Sequence, residues 1–145
     1  MDAKQDKKLV HVTRIPMRWG DMDAMGHVNN TVYFRYLEQA RIEWYAYLGR
    51  SKQAGMETVV AHAHCSFMLP LTYPGTIEVQ TYVGPPGRSS FEIEQEIRRT
   101  DDDRLYARGG ARTVWVDRNT GKSAPLPDEV RAILEPGSSY VYVPE

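Results

Sequence analysis

From about Asn30 to Leu48 the apolar residues Tyr33, Leu37, Ala40, Trp44 and Leu48 recur at spacings of three or four. They therefore share one face of an α-helix, and no other stretch of the chain shows so long an amphipathic pattern. Arg35, Glu38, Gln39 and Glu43 fall mostly off that face, and Gly49 suits a C-terminal stop. After Glu57 the period becomes two. Val59, Ala61, Ala63, Cys65, Phe67 and Leu69 alternate with Val60, His62, His64, Ser66 and Met68, the pattern of a β-strand. Ile77, Val79, Thr81 and Val83 then alternate with Glu78, Gln80 and Tyr82, and Phe91, Ile93, Gln95 and Ile97 with Glu92, Glu94, Glu96 and Arg98. A last strand runs from about Leu105 to Val116, with the pair Gly109-Gly110 suggesting a bulge or a close approach by another backbone. Residues 9 to 17 read as a first strand, with Val10, Val12 and Arg14 on one side and His11, Thr13 and Ile15 on the other. The tail predicts a short helix near Asp128 to Leu134. One long helix against a mostly antiparallel five-stranded sheet is an α+β domain.

At 145 residues the chain forms one domain, residues 1–145, with a core that needs no staple. A net charge of −1 argues against nucleic-acid binding driven by a basic surface. Cys65 is the single cysteine, so an intramolecular disulfide is impossible and a reducing, cytoplasmic setting is expected. No apolar run approaches the roughly 20 residues that span a bilayer, so no membrane insertion is expected. The opening MDAKQDKKLV has lysines without a following hydrophobic stretch. Residues 1–8 thus read as a solvated flexible arm rather than a signal peptide.

The densest cluster of reactive side chains is RWGDMDAMGHVNNTVYF. Asp21, Asp23 and His27 fall in one short turn directly before the long helix, with Asn29 or Asn30 as its N-cap. Free amides at a helix N-terminus point outward with a positive partial charge, which suits a carboxylate or an oxyanion. A carboxylate beside such amides can act as nucleophile or general base, and the amides can hold the negative oxygen formed when an acyl carbonyl is attacked. Ordinary capping and turn formation account for the same residue types, so composition alone leaves both readings open.

The segment RWGDMDAMGHVNNTVYFRYLEQARIEW resembles the signature of hot-dog-fold acyl-CoA thioesterases of the 4-hydroxybenzoyl-CoA thioesterase family. The specific part is D-x-D-x-x-G-H-V-N-N-x-x-Y, and the order of elements extends the resemblance over nearly the whole chain. The resemblance implies a long helix wrapped by a curved five-stranded antiparallel sheet. It also implies subunits joined edge to edge as a homodimer or homotetramer, with active sites at the interface. It assigns the catalytic carboxylate to Asp23 and the oxyanion donor to a backbone amide near Asn30. His27 would orient the acyl group or Asp23. Asp21 reads as structural, capping the turn or pairing with an arginine, and Asn29 as the helix cap. Arg88, Ser89 and Ser90 fall where relatives contact coenzyme A phosphates; a plain hairpin turn is the alternative. Coenzyme A enters as part of the substrate, and no metal or separate cofactor is implied.

Other candidates weigh less. His62 and His64 sit two apart on one strand face but lack a third ligand type nearby, so packing or an interface is favoured over a metal site. Cys65 reads as an inert core residue. Trp44, Tyr45 and Tyr47 read as core and interface, with one or two as candidates for an acyl pocket. Arg98, Arg108 and Arg112 share one sheet face as a solvated surface or an extended phosphate patch. Glu38 and Glu43 are expected in salt bridges. Two rival functions remain. An acyl-thioester hydratase or dehydratase would carry D-x-N-P-x-H, but here Asp23 and His27 are four apart and no Asn-Pro occurs. A non-catalytic acyl-CoA-binding module would share the fold. Ala24-Met25 replaces the Pro-Ala pair of the aromatic-acyl relatives, so specificity for 4-hydroxybenzoyl groups is not implied.

Overall fold

The computed structural model describes residues 7–48 and 56–136. In chain order the elements are β1 (Lys8–Pro16), a 3-10 turn (Trp19–Asp21), α1 (Asn30–Leu48), β2 (Met56–Phe67), β3 (Thr76–Val83), β4 (Ser90–Arg99), β5 (Leu105–Asp117) and α2 (Asp128–Leu134). The strands form one antiparallel sheet in the order β1-β3-β4-β5-β2, with α1 on its inner face. This is the expected hot-dog arrangement. Both helices begin and end where the periodicity and the capping residues place them. Lys8, read as part of the arm, instead begins β1: it pairs with Val83 and its ammonium donates to the Ile133 carbonyl at 2.6 Å, while residues 1–6 lie outside the described residues. Gly49 lies outside the described residues, and among those described no helix is long and apolar enough to cross a membrane.

All five apolar positions read from the helical period are buried, together with Tyr36 and Arg41. They meet the sheet in two apolar clusters. One holds Tyr33, Tyr36, Leu37, Ala40, Leu71, Ile77 and Ile97; the other holds Trp44, Leu48, Phe91, Ile93, Trp115 and Val130. Buried and partly buried polar side chains also occupy the inner face. Glu43 accepts from Thr13 at 2.7 Å and bonds His11 Nε2 at 3.1 Å. Gln95 Nε2 donates to the Leu37 carbonyl at 3.0 Å, and Tyr45 meets Thr113 at 2.6 Å. Each of these groups would cost a few kcal/mol if buried without such a partner.

Two local expectations change. In β1 the ladder shifts between Leu9 and His11, so Val10 joins the buried core instead of sharing the face of Val12 and Arg14. In β2 it shifts between Val60 and His62. One extra residue reverses the alternation, so Val60 comes opposite buried Thr113 and Val59 turns to the outer face. The glycine pair in β5 contains no bulge. A Cβ at Gly109 would stand 2.5 Å from Leu37 Cδ1, and one at Gly110 would stand 2.6 Å from His64 Nε2. Side chains on both faces, together with the His64 and Ile93 carbonyls at 2.9 Å, leave no room there.

β2 is an edge strand of 12 residues, mostly exposed. A long open edge is a template for another strand.

Candidate active site

Residues 18–28 fold into a compact loop whose geometry follows from its hydrogen bonds. Met22 bridges Val28, and the Asp23 amide donates to the His27 carbonyl at 2.9 Å. Asp23 and His27 are therefore cross-strand partners in a miniature hairpin, which puts both side chains on one face. Their four-residue spacing is the spacing of that turn. The Gly26 amide returns to the Asp23 carbonyl at 3.1 Å and Asp23 Oδ1 accepts the Met25 amide at 2.9 Å. Gly26 has φ +82°, a conformation open to glycine and costly for most side chains.

Two tyrosines of α1 hold the loop. Buried Asp21 accepts from the Tyr36 hydroxyl at 2.8 Å and the Arg18 amide at 2.9 Å, while its carbonyl accepts the Asn29 amide at 3.0 Å. Burial, then the Asp21 hydrogen bond, raises the Tyr36 pKa well above that of a free phenol. Tyr33 receives the Leu71 amide at 3.1 Å, and the Leu71 carbonyl receives the Val28 amide at 2.9 Å. Both ends of the Asp23 turn are thereby tied to the first turns of α1. Asp21 is structural, as its place in the motif suggested.

At the helix start, Asn29 Oδ1 accepts the Thr31 amide at 2.8 Å and the Asn29 carbonyl accepts the Val32 amide at 2.9 Å. The Asn30 amide has no acceptor among the described residues. Asn29 is thus the cap, and Asn30 begins the helix beside an open groove of about 460 Å³. Asp23, Met25, His27, Val28, Asn30, Tyr33 and Phe67–Pro70 line it. The three candidate catalytic residues, Asp23, His27 and Asn30, are therefore brought together.

The family model that matches this chain is the thioesterase-like superfamily, over residues 17–134. The chain belongs to that superfamily. Among solved structures it is similar to the PA2801 protein of Pseudomonas aeruginosa, provisionally named a thioesterase. The two are 39% identical with a TM-score of 0.82, over 88% of this chain and 100% of that one. A protein from Xanthomonas campestris, provisionally named an acyl-CoA thioesterase, is 34% identical with a TM-score of 0.70, over 82% of this chain and 100% of that one. An Aquifex aeolicus protein provisionally named an esterase is 28% identical over 86% of this chain and 97% of its own length.

Arg88, Ser89 and Ser90 stand apart from the groove of this thioesterase-family domain. Ser90 pairs with Val114 and the groove residue Phe67 with Ala107, so seven residues of β5 separate the two places, roughly 23 Å of strand. Backbone bonds tie the turn to its surroundings: the Ser89 carbonyl accepts the Trp115 amide at 2.7 Å, and that of Arg88 the Leu126 amide at 2.9 Å. The Arg88 side chain is exposed. Arg98, Arg108 and Arg112 do share the outer face, but glutamates engage them. Arg98 and Arg108 both lie 3.2 Å from buried Glu96, and Arg112 lies 2.8 Å from Glu92.

His62 and His64 stack loosely on the outer face with ring centroids 5.7 Å apart. Cys65 packs partly buried beside the first apolar cluster, and burial pushes its thiol up to about 11. Glu38 pairs with Arg35 at 3.1 Å, as a salt-bridge role required, and Glu43 lies 3.1 Å from His11 Nε2. Trp44 and Tyr45 belong to the second cluster and do not line the groove. The aromatic lining comes from Tyr33 and Phe67, read from sequence as core positions. The sequence signal for Tyr33 was its place three residues after Asn30, one turn along the same helix face.

Proposed function

We propose that this protein hydrolyses acyl-CoA thioesters to the free acid and coenzyme A. The observation that carries this reading is one groove holding an exposed carboxylate, Asp23, beside the Asn30 amide at a helix N-terminus. Asp23 attacks the thioester carbon, or takes a proton from a water that attacks it. The carbonyl oxygen becomes an oxyanion facing the Asn30 amide, a donor worth on the order of 10²–10³ in rate. Collapse of that intermediate breaks the C–S bond and releases coenzyme A as thiolate, a good leaving group because thiols have pKa values of about 8.5. In the nucleophilic route water then cleaves the acyl-Asp23 anhydride. His27, paired with Asp23 across the turn, orients the carboxylate or the acyl group.

The distant placement of Arg88, Ser89 and Ser90 supports a site completed by a second copy. The 88–90 turn lies at the level of Val59 near the start of β2, whereas the groove lies at its end, by Phe67. Antiparallel pairing of two β2 edges about a two-fold axis sets the start of one strand beside the end of the other. One protomer's Arg88 and serines then approach the other's groove, where they serve the coenzyme A phosphates. A homodimer, alone or paired into a tetramer, is the assembly this reading requires, and a cytoplasmic setting suits its substrate.

Release of free thiol from short, long and aromatic acyl-CoAs by the wild-type protein tests the function. Steady turnover supports hydrolysis. Binding of acyl-CoA without thiol release favours a non-catalytic module instead.

A further inference from the structure

We propose, on the thioesterase reading of the groove, that it selects neutral apolar acyl groups and that Met25 is a specificity-determining residue for their length. Of the lining side chains only Asp23, His27 and Tyr33 are ionisable, and none is a lysine or arginine. An acyl group ending in a carboxylate would be drawn in beside Asp23 with no lysine or arginine in the groove's own lining to receive it, the second copy's Arg88 being engaged by the coenzyme A phosphates, at a cost in like-charge repulsion. Tyr33 does not offer a free polar contact, because its hydroxyl accepts the Leu71 amide at 3.1 Å and donates to the Leu69 carbonyl at 3.5 Å. It offers its ring, which meets Phe67 edge to face with centroids 4.9 Å apart.

Apart from Asn30 the remaining lining is apolar, and part of it is exposed. Met25 is 80% exposed on the loop, and Phe67 and Met68 are 46% and 44% exposed at the end of β2. Large apolar side chains left uncovered around a groove mark a surface that a ligand or a partner covers. Phe67 and Met68 stand at the β2 edge, where a second copy would also pack, whereas Met25 stands on the loop rather than on that edge. Met25 belongs to the loop that carries Asp23 and His27, so what covers it also lies against the reactive groups. Methionine is unbranched and polarisable, so it can follow acyl chains of different shape. The acyl chain lies between Met25 and the Tyr33–Phe67 pair, and its binding strengthens with each methylene until the groove is filled.

Chain-length profiles test this in two readouts on the full-length protein. One is kcat/KM for acetyl-, butyryl-, hexanoyl-, octanoyl- and succinyl-CoA; the other is binding of the matching S-alkyl-CoA thioethers, which cannot be hydrolysed. Wild type should prefer butyryl- over succinyl-CoA and should bind the thioethers about fourfold more tightly per added methylene. Met25→Ala should reduce that gain to about twofold at the longer members, and Met25→Arg should shift the butyryl-to-succinyl preference at least about tenfold towards succinyl. The high exposure of Met25 lets both variants fold, which thermal melts will confirm. A flat length profile, equal use of succinyl-CoA by wild type, or profiles unchanged in both variants overturns the proposal. Hydrolysis with a flat profile leaves the thioesterase reading standing, whereas length-dependent thioether binding without any hydrolysis leaves the groove preference and removes that reading.

Discussion

The Tyr36 hydroxyl donates to the buried carboxylate of Asp21 at 2.8 Å, locking the loop that carries Asp23 to the helix that carries Asn30. Carboxylate and amide donor are thus held on one unit, the preorganisation that makes an oxyanion site effective.

Tyr36→Phe leaves Asp21 buried with one donor fewer, and should cost about 1–3 kcal/mol of stability in urea unfolding. In hydrolysis assays kcat should fall more than KM rises, because the substrate loses no direct contact. The raised Tyr36 pKa sets the pH sign. Protonated Tyr36 is favoured in the folded state, so its contribution is complete below the unfolded value of about 10 and fades only as pH rises above it. The stability gap between wild type and Tyr36→Phe should therefore be constant to about pH 10 and shrink beyond.

Glu43 titrates with the opposite sign. Partial burial pushes its pKa up, but hydrogen bonds from Thr13, His11 and Gln39, with the charge of His11, outweigh that and lower it. A depressed carboxylate pKa stabilises the fold above the unfolded value of about 4.3, and the contribution is lost as pH falls through the folded value. Thermal melts should show Glu43→Gln less stable than wild type at neutral pH, with the difference narrowing below about pH 4.

Gly109→Ala should destabilise by about 1–3 kcal/mol through overpacking, read as a lower urea midpoint. The added methyl meets Leu37 Cδ1 at 2.5 Å and the His64 carbonyl at 2.9 Å. The leucine can swing away; the backbone of a paired strand yields less.

Arg88→Ala should raise KM for acyl-CoA about tenfold at low salt, the loss of one charge-assisted hydrogen bond, and much less at high salt. The effect should be weaker on an acyl-pantetheine thioester, which lacks the nucleotide phosphates.

Much of this was legible in the chain. The bounds of α1 follow from the spacing of Tyr33, Leu37, Ala40, Trp44 and Leu48 and from Asn29 at the cap, all of which are local signals. The motif likewise located Asp23, His27 and Asn30, because a short turn before a helix fixes its own geometry. What was hidden depends on distant partners. The face switch in β2 arises from one unpaired residue against β5, and strand alternation by itself cannot show it. Tyr33 read as part of the apolar helix face and Tyr36 carried no assigned role, since nothing local says that their hydroxyls meet Leu71 and Asp21, 38 and 15 residues away. The arginines of the outer face could be placed together from register, and Glu92 and Glu96 on the face of Arg98, but not which glutamate engages which arginine.

The most direct test is single-turnover release of coenzyme A thiol by Asp23→Asn beside wild type, on the acyl-CoA that wild type turns over fastest. Asparagine preserves the size of the side chain and can still accept the Met25 amide, so the loop should keep its shape while losing its nucleophile or base. The rate should fall by at least about 10², the scale of a lost general base, with thioether binding retained. Thiol release within a few-fold of wild type, by a folded variant, would contradict the assignment of Asp23 as the catalytic carboxylate.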